Sequence, residues 1–511
     1  MSDERRIFSV IGTLPEPGGY AIAKFSRSAR PYQEWVSELS QEGASRFYEQ
    51  FYFAYGHSSI ADLAHVTMIT ENVSIVAAIE ILDEQLVDAQ ESSTRYQDFT
   101  RRRYYTPPEL RGSPLEGAFA QTCDRLFSAY RTVHRTVLEH FERRYADQRP
   151  KEMGDDEYRR TVRARAFDVA RYLLPSSTYT GLGYICSART LERQIRRLAS
   201  LPLGELKEIA AELRAAASEP AYNPPAIRLD AEIAAFLQRT PDPNAADFVD
   251  RAREIVATGA AAAPTLVRYT EASPYVTATY GELRRQAALL PRDEAPDGTR
   301  GVTLVQPSDL RTELAATLLY RASNLAYEQI LNAIRSWPVE RLDGLAATAF
   351  ASRGPHDEPI RETRVGHQLI FDLCIDNGAF RDLHRHRNCI QIVKDFTPAY
   401  GYDVPAAVVD ADVADDYCAA MEEAGDVAAR IEDAAPGIGQ YALPLGYRRR
   451  ALFKMDLAEL IYIVETRSKP AGHFSYREIA HQMLDEVRKR YPSLARFVRS
   501  TDPDVDGFFE R

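Results

Sequence analysis

The densest cluster of side chains that could do chemistry lies at residues 381–387. Five basic groups fall within these seven positions, namely Arg381, His384, Arg385, His386 and Arg387. Like charges packed this closely repel one another unless an anion or an aromatic system lies among them. We therefore predict that the segment contacts a phosphate or a flavin rather than forming a solvated helix face. No metal site is predicted, because carboxylates at ligand spacing are missing.

A second cluster combines carboxylate, hydroxyl and guanidinium groups over residues 91–105. Glu91, Ser93 and Arg95 come first, and three arginines follow at 101–103. An arginine fork can hold a phosphate through two hydrogen bonds, and a nearby serine hydroxyl can add another. Ser93 is also a candidate catalytic residue, although a serine nucleophile needs a neighbouring base and the sequence shows none.

The charge balance argues against a nucleic-acid partner, although three arginines beside tyrosines could suggest RNA binding. A net charge of −11 makes the surface as a whole repel polyanions, so an anion must be met by a local basic pocket. A solvated turn is the simpler interpretation of the triple arginine. The 511 residues exceed one ordinary core, so two or more domains are expected.

Two further segments carry histidines and arginines near predicted helix ends. His57 follows a glycine and could contact a phosphate or a flavin edge, but a capping or packing histidine is as well supported. Arg467 and His473 lie in what, taken alone, is an ordinary helix end, loop and helix start.

Apolar residues at three- and four-residue spacing predict a mainly helical chain. Residues 65–81, rich in Val, Ile and Thr, could begin as a strand. The best linker is 291–301, which is charged and rich in Pro and Gly; a strand at 302–305 and a long helix over 310–337 follow it. We expect a first module with a helical extension over 1–290 and a second module over 302–511.

The two halves repeat short motifs in the same order. Asp98-Phe99-Thr100 is echoed by Asp395-Phe396-Thr397, and Leu174-Pro175 is echoed by Leu443-Pro444. The shared order and similar spacing favour an ancient duplication over coincidence.

Together these motifs resemble those of flavin-dependent thymidylate synthases, whose signature is RHR followed by spaced serines and an arginine. The resemblance covers about residues 5–215 and 300–498. The first half matches at the Gly-His-Ser of 56–58, the Ser-Thr-Arg-Tyr of 93–96, Arg171 with Leu174-Pro175, and the Ser-Ala-Arg of 187–189. The second half matches at Arg385-His386-Arg387, Leu443-Pro444, Arg467 and His473.

Neither half keeps the complete signature. Where RHR is expected, the first half has Asp83-Glu84-Gln85, and the second half has Gln440 in place of Arg171. The signature's serines and arginine fall near Ile390, Asp395 and Thr397 in the second half. These losses are complementary, because flavin-type residues remain in the second half and nucleotide-type residues in the first. One composite pocket per pair of modules is therefore the natural hypothesis.

The resemblance implies an α+β fold in which each module has a mixed or antiparallel sheet with long flanking helices, and a homodimer that restores four modules. It also implies flavin-dependent methylation of dUMP to dTMP with FAD, NADPH and methylene-tetrahydrofolate, the flavin carrying the hydride. The implied nucleotide ligands are Glu91, Ser93, Arg95, Arg171 and Arg467, of which Arg467 would also polarise the pyrimidine. The implied flavin contacts are His57, Arg189, Arg385, His386, Arg387 and His473.

Two alternatives stay open. The lost serines would suit modification of another pyrimidine nucleotide or use of another one-carbon donor, whereas a decayed site would suit a non-catalytic scaffold of the same fold. The five cysteines have no paired spacing, the N-terminus lacks a signal-peptide pattern, and no run of about 18 apolar residues occurs. These features predict a cytoplasmic protein without a membrane span.

Overall fold

The computed structural model describes residues 10, 12–26, 32, 40–54, 58–100, 103–239, 246–291, 295–354, 357–505 and 507–510. Two antiparallel sheets, one from each half of the chain, are surrounded by helices. The predicted α+β fold with two tandem modules is confirmed. Within these ranges, none of the helices combines the length and the apolar character that a membrane crossing needs.

A three-stranded sheet forms the centre of the first module. Its strands are β1 (His65–Ser74), β2 (Val87–Glu91) and β3 (Tyr179–Ser187), and β3 lies between the other two. Its α-helices are α1 (Pro15–Phe25), α2 (Gln41–Tyr48), α3 (Ile75–Leu82), α4 (Glu116–Arg144), α5 (Asp155–Ala170), α6 (Ala188–Ser200) and α7 (Gly204–Ser218). Three more helices lead toward the second module: α8 (Pro224–Arg239), α9 (Ala246–Ile255) and α10 (Pro274–Ala287).

A four-stranded sheet forms the centre of the second module. Its strands are β4 (Gly301–Val305), β5 (Leu369–Asp376), β6 (Ile390–Val393) and β7 (Arg448–Met455), in the spatial order β4–β5–β7–β6. Its larger α-helices are α11 (Leu310–Ala322), α12 (Tyr327–Ile334), α13 (Val339–Thr348), α14 (Asn377–Leu383), α15 (Ala406–Asp410), α16 (Ala414–Ala434), α17 (Leu457–Arg467) and α18 (Phe474–Arg490); the short α19 (Pro492–Ala495) follows.

The strand predicted at 302–305 and the strand predicted to begin at residue 65 are both confirmed, but the single helix predicted over 310–337 is wrong. The chain leaves helical geometry at Ser323, which is extended, and resumes at Tyr327. The buried Lys394 ammonium group donates to the carbonyl oxygens of Tyr320, Ser323 and Leu325, each at 2.6 Å. This tertiary contact satisfies carbonyl groups at the helix end, where they lack partners within the helix.

The two sheets have the same register at the positions that relate the modules, although the β1–β3 pairing shifts between Glu71 and Val73 and the β5–β7 pairing does not. Asp88 pairs with Ile185 in the first sheet, and Ile390 pairs with Lys454 in the second. Ser74 and Asp376 each cap the helix that follows the first long strand of their module. Position 88 therefore corresponds to 390, and the same spacing of 302 residues connects Ser74 with Asp376. By this spacing Asp83-Glu84-Gln85 corresponds to Arg385-His386-Arg387, as the sequence comparison predicted.

The echoed Leu-Pro segments lie against each other where the modules meet. Pro175 and Pro444 form an antiparallel bridge between the two halves. Backbone N–H groups of Ser176 and Leu445 donate to the carbonyl oxygens of Leu443 and Leu174, at 2.9 and 3.0 Å. The arrangement is nearly symmetric, because each segment donates to the other. It brings Arg171, three residues before Leu174, to the boundary of the second module.

His134, a histidine on α4 that packs against α5, makes the stability of the first module depend on pH. His134 stacks on Phe167 with a centroid distance of 4.4 Å, and its Nε2 finds no partner in the described part of the chain. Burial lowers the pKa of His134 to about 4. Because the unfolded chain binds this proton near pH 6.5 and the folded chain does not, the stability linked to His134 is complete above pH 6.5 and is lost as the pH falls toward 4.

We expect His134→Phe to become more favourable for folding as the pH falls. The difference in unfolding free energy between the variant and the natural chain should shift toward the variant by up to about 2 kcal/mol from pH 7.5 to pH 5. Urea denaturation of both proteins at the two pH values measures this shift. A difference that stays constant with pH would show that His134 is not a neutral buried imidazole.

Candidate functional site

Predicted site residues from both modules meet at the boundary between them. The Arg381 side chain on α14 pairs with the carboxylate of Glu91 at the end of β2, and both side chains are buried. Nη1 of Arg381 lies 3.5 Å from Oγ1 of Thr94. The acidic residue of the cluster at 91–105 therefore contacts the basic cluster at 381–387 directly.

Arg171 is the most deeply buried of the predicted arginines, with only 2% of the residue exposed. Its Nη1 donates to Oδ2 of Asp382 at 3.2 Å. The Nε and Nη2 atoms of Arg171 and the Nε of Arg381 are buried and have no hydrogen-bond partner among the described residues. Buried guanidinium N–H groups without acceptors are costly. The arrangement therefore fits an anionic acceptor from outside the chain.

Asp382 is the carboxylate around which the predicted arginines gather. Burial would raise the pKa of Asp382, but the charges of Arg171, Arg95, Arg385 and Arg467 together hold it below its usual range. These arginines come from both modules. Among the described residues, Arg171, Arg385 and Arg467 form no salt bridge with any other carboxylate. Arg171 alone forms a salt bridge with Asp382, so Arg385 and Arg467 are left without a paired carboxylate among the described residues, and this positive charge suits an anionic ligand such as a phosphate.

Arg95 is engaged mainly within the protein. Its Nε and Nη2 donate to the two carboxylate oxygens of Asp168, at 2.8 and 3.2 Å, and both side chains are buried. Its Nη1 donates to the Tyr476 hydroxyl at 2.9 Å, and Nη2 also reaches the Ala471 carbonyl. Arg95 therefore fastens the loop after β2 to the second module, whereas its assignment as a phosphate ligand stays a prediction.

Arg467 is held by an imidazole rather than by a carboxylate. Its Nε donates to Nε2 of His386 at 2.8 Å, while Nδ1 of His386 lies 3.6 Å from the Glu459 carboxylate. Burial lowers the pKa of His386, and the charges of Arg467 and Arg387 act in the same direction against the raising effect of Glu459. The imidazole is therefore neutral at physiological pH. Arg467 also lies over the Tyr476 ring, at 5.4 Å from its centroid.

His473 is fully buried and begins α18. Its Nδ1 accepts from the Ser475 backbone N–H at 3.2 Å, so Nε2 carries the proton and donates to the Asp168 carbonyl at 3.1 Å. Burial, followed by the charge of Arg171, lowers the pKa of His473 well below its usual value. Both nitrogens of this neutral ring are used within the protein. The predicted flavin contact of His473 stays a prediction.

The remaining predicted residues differ in how closely they approach this cluster. Arg385 is half-buried and makes no hydrogen bond or salt bridge among the described residues, which leaves its guanidinium available. Arg387 is also half-buried, with an unpartnered Nε, and its pKa is lowered by burial and then by Arg385. Arg189 pairs with Asp62 and Glu358, neither of which belongs to the cluster. His57 lies outside the described residues.

Ser93 has a local structural contact. Its Oγ accepts from the Arg95 backbone N–H at 3.2 Å and is joined to no base in the described part of the chain. The arrangement offers binding and charge stabilisation and no activated side-chain nucleophile. The catalytic role of Ser93 stays a prediction.

The cluster of arginines around Asp382, called the first cleft below, has a counterpart with opposite chemistry, the second cleft, at the corresponding positions of the two modules. Glu84, which corresponds to His386, accepts from Arg193 at 3.0 Å and from Arg197 at 2.9 Å. Asp83 pairs with Arg361. Gln440 is the residue that corresponds to Arg171, and its side chain donates to the Gly437 carbonyl. Carboxylates of the first module thus neutralise the arginines of this cleft, where the first cleft has arginines in excess.

Sequence reasoning missed four residues that organise the first cleft: Asp168, Asp382, Glu459 and Tyr476. Asp382 lies inside the basic segment 381–387, and a lone acid among five basic groups was the available signal. The other three lie on helices far along the chain from their partners. Nothing in their local sequence distinguishes them from ordinary helix residues.

Comparison with known proteins finds a family match in each half of the chain. A family model described as thymidylate synthase complementing protein matches residues 15–220 and 309–493. A UPF0159 protein of Chlamydia muridarum is 28% identical over 473 residues, which cover 91% of this chain and 82% of the relative. A flavin-dependent thymidylate synthase of Clostridium tetani is 24% identical over 212 residues, covering 39% of this chain and 80% of its own length.

Among solved structures, the flavin dependent thymidylate synthase from Helicobacter pylori complexed with FAD and dUMP is 16% identical. The match covers 40% of this chain and 88% of that protein, with a TM-score of 0.23. The Clostridium relative thus corresponds to about one module, whereas the Chlamydia relative extends over both.

Proposed function

Because the chain belongs to the thymidylate synthase complementing protein family, we propose that it methylates dUMP at C5 in a flavin-dependent reaction, at one composite site between its two modules. The family model accounts for both modules. The name of the Clostridium relative supports flavin dependence and a thymidylate product.

One observation carries the proposal: the two incomplete residue sets lie side by side. Glu91 of the first module contacts Arg381 of the second, and Arg171 of the first contacts Asp382 of the second. A protein whose site had decayed without selection would have no reason to keep buried N–H groups unpaired at this boundary, since such groups destabilise the fold.

In this proposal the nucleotide phosphate accepts from the unpartnered N–H groups of Arg171 and Arg381. The Nη groups of Arg467 have no hydrogen-bond partner among the described residues, and in this proposal they polarise the pyrimidine ring. Arg385 and Arg387 hold the flavin, while Glu91, Arg95, His386 and His473 act through the residues that they position. The cluster is largely buried and therefore strengthens electrostatic interactions with a charged ligand.

When bound and reduced by NADPH, the proposed reductant, FAD would supply the hydride, and methylene-tetrahydrofolate is the proposed carbon donor. No side chain of the cluster needs to act as a nucleophile. We further propose a boundary between modules at 291–301, and a cytoplasmic homodimer in which two chains assemble four modules.

The second cleft supports one working site per chain. Glu80, Asp83 and Glu84 already neutralise Arg193, Arg197 and Arg361 there. An anionic nucleotide would have to displace these carboxylates, and it would find Gln440 in place of Arg171. We therefore expect one dUMP and one FAD per chain.

The proposal is tested by the visible spectrum of the purified chain before and after addition of FAD and then dUMP. We expect flavin absorption that remains after gel filtration and bands that shift on addition of dUMP, with methyl transfer in an assay containing NADPH and methylene-tetrahydrofolate. A chain that FAD cannot reconstitute would overturn the enzyme proposal and leave a structural role. Bound flavin with bands that respond to another pyrimidine nucleotide and not to dUMP would show that the other nucleotide is the substrate.

A further inference from the structure

We propose that Glu459 and His386 form a positioning pair that orients Arg467 while leaving its positive charge un-neutralised for the ligand. The inference rests on the proposed function for the identity of that ligand, a pyrimidine nucleotide. Neither Glu459 nor His386 is proposed to touch the reacting atoms. The two residues act through the direction of the Arg467 guanidinium.

The hydrogen-bond directions define the pair. Arginine is always a donor, so the 2.8 Å contact from Arg467 Nε requires a lone pair on Nε2 of His386. The neutral ring then carries its proton on Nδ1, which faces the Glu459 carboxylate at 3.6 Å. That separation is longer than a direct hydrogen bond, and the carboxylate acts electrostatically by favouring the Nδ1–H tautomer. Each member thereby fixes the next.

His386 and Glu459 are too deeply buried to contact a ligand, so they can act only by positioning Arg467. The His386 and Glu459 side chains are 3% and 7% exposed, so neither is available to a ligand. The charged groups that face His386 are Glu459 and Arg467 on α17 and Arg387 on its own segment. The Tyr462 ring, also on α17, contacts its edge at 5.4 Å between centroids. Arg467 makes no salt bridge among the described residues, and its Nη groups remain for a ligand.

The first module provides an internal comparison. Position 84 corresponds to His386, and Glu84 there binds Arg197, which lies one residue before the position that corresponds to Arg467. A carboxylate in direct contact cancels the charge of its arginine, and Glu84 also engages Arg193. An imidazole between the carboxylate and the arginine keeps the same orienting effect with a neutral acceptor. Histidine at position 386 and glutamate at position 84 therefore distinguish the second-module arrangement, in which the arginine keeps its charge, from the first-module arrangement, in which it is paired with a carboxylate.

Three single variants test the pair: His386→Glu, His386→Gln and Glu459→Gln. His386→Glu recreates the first-module pairing, so we expect dUMP affinity and kcat/KM to fall at least about 100-fold, which corresponds to about 2.7 kcal/mol. His386→Gln keeps a neutral acceptor and should retain at least tenfold more affinity than His386→Glu. Glu459→Gln should lower kcat more than it weakens FAD binding. Glu84→Gln, at the position in the first module that corresponds to His386, is the matched control. It should leave dUMP affinity within threefold of that of the natural chain.

A spectroscopic measurement separates this inference from the proposed function. ¹⁵N NMR of the histidine-labelled chain without ligands, with His386→Gln used for assignment, should show His386 as the neutral Nδ1–H tautomer at neutral pH. This tautomer in a chain that binds no dUMP would retain the positioning pair and overturn the proposed function alone. An Nε2–H tautomer, titration at an ordinary pKa, or equal dUMP affinity in His386→Glu and the natural chain would overturn the positioning pair.

Discussion

Replacing Arg171 by glutamine is expected to weaken dUMP binding at least about 100-fold, because two buried N–H donors to a charged phosphate are lost at about 1.5–3 kcal/mol each. The substitution gives the first module the residue that the second module has at the corresponding position, Gln440. Fluorescence or calorimetric titration of the FAD-loaded chain with dUMP measures the change.

Gln440→Ala is the matched control, since Gln440 occupies the position in the second module that corresponds to Arg171. The dUMP affinity of this variant should stay within threefold of that of the natural chain. Stability should change less than binding in Arg171→Gln, because Asp382 still faces Arg95, Arg385 and Arg467. The double variant Arg171→Gln/Asp382→Asn also removes the Asp382 carboxylate, so its dUMP affinity is measured without a buried carboxylate that has lost its partner. Unchanged dUMP affinity in both Arg171 variants would exclude Arg171 as a phosphate ligand.

Replacing Arg95 by alanine is expected to lower the free energy of unfolding by about 3–5 kcal/mol, since it leaves the buried Asp168 carboxylate without its partner. It also removes the hydrogen bonds to Tyr476 and Ala471, which connect the first module to the second. Urea denaturation monitored by circular dichroism gives the loss.

An exposed ion pair supplies the comparison for Arg95. The Arg163 and Asp98 side chains are 53% and 38% exposed, so Arg163→Ala should cost less than about 1 kcal/mol. The double variant Arg95→Met/Asp168→Leu should recover much of the stability, because no unpaired charge remains. A loss in Arg95→Ala no larger than that in Arg163→Ala would contradict the role of Arg95 as a fastening between modules.

Much of the architecture could be predicted because its signals are local. The Val-, Ile- and Thr-rich run predicted a strand from residue 65, and β1 begins there. The echo of Leu174-Pro175 in Leu443-Pro444 predicted corresponding segments. The sequence comparison matched Asp83-Glu84-Gln85 with Arg385-His386-Arg387, and the strand pairing independently gives the same match. The Asp-Phe-Thr echo would shift this correspondence by a few residues, so the strand pairing favours the former.

The rest depended on contacts between residues far apart in the chain. The break between α11 and α12 is accompanied by three carbonyl groups bound to Lys394, about 70 residues later. Glu459 is a candidate site residue only because it lies beside His386 in the fold. Asp168 is one only because it pairs with Arg95. A local pattern also could not reveal that the two Leu-Pro segments touch each other. Each such contact joins elements whose sequences are compatible with many other partners.

The number of dUMP molecules bound per chain tests the composite site most directly. Isothermal titration of the FAD-loaded chain with dUMP should give one site per chain, and Arg171→Gln should remove it within the measured concentration range. Two equal sites per chain, or a single site that Arg171→Gln leaves intact, would contradict the conclusion that one nucleotide binds between the modules at Arg171.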